Sequence, residues 1–127
     1  MKRLFSLLVV LWFSVGFAQT YVQLILDASG SMWNKLEDGT YRISAAKDVL
    51  GNFIKGLPTG DLNVGLRVYG ATMNAMDEGS CDDIALVVGM DGVDKPGLQT
   101  AVDNTTAKGA TPIVKALEQA AADFPAE

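Results

Sequence analysis

The stretch Tyr21-Val22-Gln23-Leu24-Ile25-Leu26-Asp27-Ala28-Ser29-Gly30-Ser31 decides the fold of this chain, because an almost continuously apolar run ends in one carboxylate and two hydroxyls. Tyr21 to Leu26 reads as a short central strand, covered on both faces. Asp27, Ser29 and Ser31 stand at positions i, i+2 and i+4 of the loop that leaves it, so their side chains can turn toward one point. Such a set of oxygens suits a hard divalent cation. One anion and two neutral hydroxyls leave the ion with surplus positive charge, which lets a carboxylate from another molecule take an open coordination position. The pattern points to binding rather than turnover. The alternative use of the same residues is local: aspartate and serine also cap the amides of their own loop in Asx-type turns.

Outward from this loop, the apolar residues Ile43, Ala46, Leu50, Phe53, Ile54 and Leu57 recur at spacings of three and four between Tyr41 and Leu57. That period predicts an amphipathic helix lying on the sheet, ended by Leu57-Pro58-Thr59-Gly60. Leu62, Val64, Leu66 and Val68 then alternate with Asn63, Gly65, Arg67 and Tyr69, the period of two of a strand with a less buried side. Ile84 to Val88 predicts another strand. With only a loop of small and polar residues from about Gly70 to Asp83 between them, the two strands are expected to be antiparallel neighbours. Asp94-Lys95-Pro96 opens a short helix through about Val102, with the aspartate as its cap. A last helix begins near Thr111-Pro112 and is expected to bury Ile113, Ala116, Leu117, Ala120 and Phe124. Strand, helix, strand, strand, helix, helix is the order of a doubly wound, Rossmann-like α/β domain. In that fold class ligands sit beyond the carboxyl ends of the strands. Asp27 lies there.

In D-x-S-x-S form, Asp27, Ser29 and Ser31 resemble the metal ion-dependent adhesion site of von Willebrand factor type A domains. The likeness continues in order through "LILDASGSMW", "RISAAKDVL", "VGLRVYG", "CDDIALVV" and "KGATPIVKALEQAA", similar to exported bacterial members, and covers nearly all of residues 20–127. The resemblance implies a magnesium site, with manganese or calcium as substitutes, and a protein partner that supplies an Asp or Glu carboxylate. It maps Thr111 onto the threonine that the family brings from a second loop. Read on its own, Thr111 could equally cap the helix that opens at Pro112. The family's remaining acidic ligand follows a strand to which no residue here corresponds. The expectation is therefore a domain over residues 19–127 that is incomplete at its C-terminus, with an apolar strand edge exposed.

The chain of 127 residues, 49% of them hydrophobic, has room for one domain with a packed core. Met1-Lys2-Arg3, the apolar run from Leu4 and the small residues Gly16 and Ala18 read as a signal peptide over residues 1–18, cleaved after Ala18. The run is shorter than the roughly 20 residues of a membrane-spanning helix, so no stable span is expected after cleavage. An exported protein, periplasmic or extracellular, follows. Loss of Lys2 and Arg3 leaves 8 basic against 15 acidic residues, which excludes nucleic acid as an expected partner. The chain has no histidine, so Ser-His-Asp and Cys-His catalysis and histidine zinc sites are excluded. Neither serine lies in a G-x-S-x-G turn, and no second aspartate stands two residues after Asp27, so an enzyme is not expected. A non-binding structural fragment is the other alternative to the binding module. Cys81 is the single cysteine. It reads either as a small buried side chain or, as the resemblance favours, as half of a disulfide with a later cysteine.

Three further features invite a functional reading. Met32 and Trp33 either form an apolar rim to the ligand loop or pack against a helix. Asp77, Glu78, Asp82 and Asp83 read as a solvated acidic loop, because they lack the spacing of a calcium loop. Asn104-Thr105-Thr106 matches a glycosylation acceptor that matters only in a eukaryotic secretory pathway.

Overall fold

A computed structural model describes residues 19–126; the expected signal peptide lies outside them. Three strands, β1 (Thr20–Asp27), β2 (Leu62–Tyr69) and β3 (Ile84–Val88), form one sheet in the order β1-β2-β3. β1 runs parallel to β2 from Thr20 opposite Leu62 to Asp27 opposite Tyr69. β3 is antiparallel to β2, as the short connection requires, with a bulge between the Leu66–Val88 and Arg67–Leu86 pairs. Helices α1 (Arg42–Gly56), α2 (Lys95–Asn104) and α3 (Ile113–Ala121) complete the mixed α/β fold. Asp94 caps α2, its carboxylate accepting from the Gly97 amide at 2.9 Å, and Pro96 occupies the first turn, where no donor is needed.

Alternation along the strands sorts their side chains between two faces. Leu26 of β1 and Val64, Leu66 and Val68 of β2 face α1 and α2, where they close a core with Ile43, Ile54, Leu57, Leu98 and Val102. Arg67 points to the other face, under α3. Its guanidinium donates from Nε and Nη2 to the two oxygens of Asp123 at 2.8 and 2.6 Å, and from Nη1 to Gln119 at 2.7 Å.

Three expectations change here. β2 has no less buried side, for Val64 through Gly70 are all buried. Gly65 leaves room for the Gln23 and Met90 side chains, Arg67 is neutralised by Asp123, and Tyr69 packs beneath β1 with 3% of its surface exposed. β1 is not central among the described residues. It pairs with β2 alone, and Tyr21 through Ile25 are half-buried. Finally, α3 buries Ala116 and Ala120 but leaves Ile113 and Leu117 exposed, and Phe124, just past its end, is exposed as well. The two alanines rest on the sheet, while the Arg67 fork holds the Gln119 and Asp123 side of the helix down and turns the bulky flank outward. Phe53 of α1 is likewise exposed, although Ile43 and Ile54 are buried as the period predicts.

Candidate metal centre

β1 ends at Asp27, and the chain passes through Ala28 and Ser29 into a 3₁₀ turn, Gly30–Trp33. The turn brings the two serine hydroxyls together, Ser29 Oγ and Ser31 Oγ lying 3.1 Å apart. One oxygen of Asp27 accepts from the Ser29 amide at 2.7 Å, so the Asx-type turn forms as well and aims the carboxylate toward the loop. Ser29 is buried and Ser31 exposed, which makes one hydroxyl the floor and the other the lip of the site.

Two more loops hold this one in place. The Gly30 amide donates to the Gly109 carbonyl at 2.9 Å, the Lys108 amide to Ala28 at 2.8 Å, and the Gly109 amide to Gly70 at 2.7 Å. Backbone this close tolerates no side chain. A Cβ on Gly70, which has φ +71°, would stand 2.6 Å from the Ala110 carbonyl, and one on Gly109 would stand 2.7 Å from that of Met73. Thr111 follows Gly109 by two residues, so its loop does reach the Asp27 loop. Among the described residues no hydrogen bond joins its side chain to Ser29 or Ser31. The exposed Thr111 lines a surface recess with Cys81, Pro112 and Lys115, and α3 starts without a side-chain cap.

Sequence reasoning missed two residues of this region. Tyr69 stands opposite Asp27 in the strand register. Burial, together with a hydrogen bond to and the charge of the Asp27 carboxylate, pushes its hydroxyl far above the usual phenol range. Asp83 is the other. Expected in a solvated loop, it is buried, and its carboxylate accepts from the Thr72 and Met73 amides at 2.8 and 2.9 Å and from Thr72 Oγ1 at 2.6 Å. Burial alone would raise its carboxyl. The Thr72 hydroxyl, the two amides and the Lys108 charge outweigh that and hold it below the ordinary carboxylate range. Asp83 thus fixes the loop that carries Gly70. The rest of the acidic run is exposed as expected, with Asp82 paired to Lys115 and Asp77 accepting from the Asn74 amide. Cys81 is exposed, which removes the reading of a buried small side chain.

The donor set is one carboxylate and neighbouring hydroxyls; among the described residues no three acidic or cysteine side chains converge. Hydroxyls 3.1 Å apart match two adjacent corners of an octahedron with metal–oxygen bonds of about 2.0–2.1 Å, whose edges are roughly 3 Å. Hard oxygen donors with a single carboxylate suit magnesium, which keeps several positions for water or an external ligand.

A family model described as von Willebrand factor type A domain matches residues 22–127. The uncharacterized protein YwmC of Bacillus subtilis (strain 168) is 33% identical over 110 residues, an alignment that takes in 84% of this chain and 48% of that protein. Among solved structures, the conserved hypothetical protein BatB from Bacteroides thetaiotaomicron superposes with a TM-score of 0.64 at 18% identity, covering 85% of this chain and 47% of that one. An uncharacterized membrane spanning protein from Vibrio fischeri gives 0.60 at 24% identity, with 82% and 49% covered. An aerotolerance-related membrane protein from Bacteroides fragilis gives 0.64 at 20%, with 85% and 48% covered. At these identities the solved structures speak to the fold alone. The chain spans about half the length of each of these relatives.

Proposed function

Because the chain belongs to the von Willebrand factor type A domain family, whose model spans residues 22–127, we propose that it is a metal-dependent protein-binding module of the bacterial cell envelope. The observation that carries this reading is the 3.1 Å approach of the Ser29 and Ser31 hydroxyls at the exit of β1, beside Asp27. Bound there, magnesium would supply a Lewis-acidic position for a carboxylate oxygen. Asp27 would bring the charge that holds the ion, Ser29 and Ser31 its neutral ligands, and Thr111 a further oxygen from the neighbouring loop. The Ser29 amide fixes the orientation of Asp27, as partners of ligating carboxylates do. With one protein carboxylate in the set, the partner's Asp or Glu completes the charge.

The basic start and apolar run of residues 1–18 support export and the envelope as its place. Two of the structural relatives, from Vibrio fischeri and Bacteroides fragilis, are membrane proteins. Among the described residues no helix is long and apolar enough to cross a membrane. The reading gives Asp27 and the serines binding roles alone, in a chain without a histidine base.

The test is calorimetric titration of magnesium and manganese into the wild type and Ser31→Ala. Ser31 is exposed, so the substitution removes one ligand with little cost to the fold. The variant should fold as the wild type does and bind the ion more weakly. Equal affinity would remove Ser31 from the site.

A further inference from the structure

Trp33 closes the 3₁₀ turn that carries Ser31, and 48% of its surface is exposed. An exposed indole is normally free to move, but this one is held twice. Its Nε1 donates to the Ala107 carbonyl at 2.6 Å, and its ring meets Tyr41 edge-on, with centroids 5.4 Å apart and planes at 83°. Lys35 Nζ covers the Tyr41 ring at 5.1 Å. Beside the indole lies a recess of about 150 Å³ lined in part by Trp33, Ile43, Lys47, Thr105 and Ala107. A rigid, exposed aromatic surface next to a recess has already lost the freedom that binding would cost it.

Its position relative to the hydroxyl pair follows from the loop pairing. Ser29 lies against Gly109, while Trp33 is tied to Ala107, two residues earlier on the same strand of chain. Two residues of backbone span at most about 7 Å. A partner whose carboxylate reaches Ser29 and Ser31 therefore presents the next one or two side chains to the indole. Lys35 and Lys47 flank it, in a chain of net charge −5. That local sign favours an acidic segment over a basic one.

We infer that Trp33, braced by Tyr41 and Ala107, is the second contact for the partner of the Asp27 site, and takes a bulky apolar side chain one or two residues from the partner's Asp or Glu. This rests on the function proposed above and narrows the partner to an acidic segment with an apolar neighbour. Trp is the residue most enriched where interfaces concentrate their affinity. The indole is a contact for the partner, and the ion is bound without it.

The test uses the full chain with Trp12→Phe, which leaves Trp33 as the only indole of the two in the sequence. Capped peptides Gly-Glu-Leu-Gly and Gly-Glu-Gly-Leu are compared with Gly-Glu-Gly-Gly in magnesium and in chelator. At least one leucine peptide should bind about 10-fold tighter than the glycine peptide, only with magnesium, and should shift Trp33 emission. Trp33→Ala should erase the leucine advantage while magnesium affinity stays within about twofold, and Trp33→Phe should keep part of it. Equal binding of all peptides with magnesium and an unmoved emission would overturn the aromatic contact and leave the metal site standing. Loss of magnesium affinity in Trp33→Ala would show that the indole only props the loop, and would overturn the inference too. Absence of magnesium binding in the wild type would remove both.

Discussion

On the side of the sheet covered by α1 and α2, apolar side chains from both strands and both helices meet and close, with Val64, Leu66, Leu98 and Val102 wholly buried. On the side covered by α3, cohesion rests on two alanines and one buried ion pair, while Ile113, Leu117 and Phe124 face solvent. The same alternating strands feed both sides. What differs is the helix placed over each face, and the contrast teaches that apolar content does not by itself make a core. α3 is as amphipathic as a buried helix, yet its bulky flank has no partner among the described residues. The side-chain amide of Gln23 lies on this side too, buried with neither its nitrogen nor its oxygen bonded among the described residues. It sits on β1, an edge strand of the sheet among the described residues.

Substitutions on the two sides should differ accordingly. Leu66→Ala on the closed side should cost about 2–5 kcal/mol, the range for deleting a leucine from a filled core, read as a lower denaturation midpoint. Arg67→Met on the open side should cost at least as much, about 3–5 kcal/mol, because it leaves the Asp123 carboxylate covered and unpaired. Adding Asp123→Leu should recover most of that loss, whereas no second substitution should rescue Leu66→Ala so simply. Asp83→Asn should cost about 1–3 kcal/mol by weakening the bonds to Thr72 and Met73, and it should flatten the acid limb of stability. The sign follows from a folded value held below the unfolded one. The contribution of Asp83 is complete above the ordinary carboxylate range and is lost as pH falls through its lowered folded value. Leu117→Ser should change stability by no more than about 0.5 kcal/mol, despite removing a larger apolar group than many core changes do. A loss as large as that of Leu66→Ala would mean that the α3 flank is packed after all.

Much of the fold was legible because it is local. The run into Asp27, the period of α1, the alternation of β2, the short β2–β3 connection and the Asp94 cap all depend on residues within one element. Of the site, the D-x-S-x-S loop was legible for the same reason. Buried polar groups were not. Arg67 reads as an exposed strand residue until Asp123, 56 positions later, is folded against it. Asp83 reads as one more charge in an acidic run, although the amides it holds lie at Thr72 and Met73. Tyr69 joins the site only through its register with Asp27. Whether a polar side chain is solvated or structural is settled by distant partners, which periodicity does not register.

The central claim is that Asp27 and the two serines form a magnesium site on a scaffold that stands without the ion, and titration of magnesium into the wild type and Asp27→Ala tests it most directly. The wild type should give measurable heat of binding, Asp27→Ala none, and both the same circular dichroism. Equal binding by the two proteins, or no binding by a folded wild type, would contradict it.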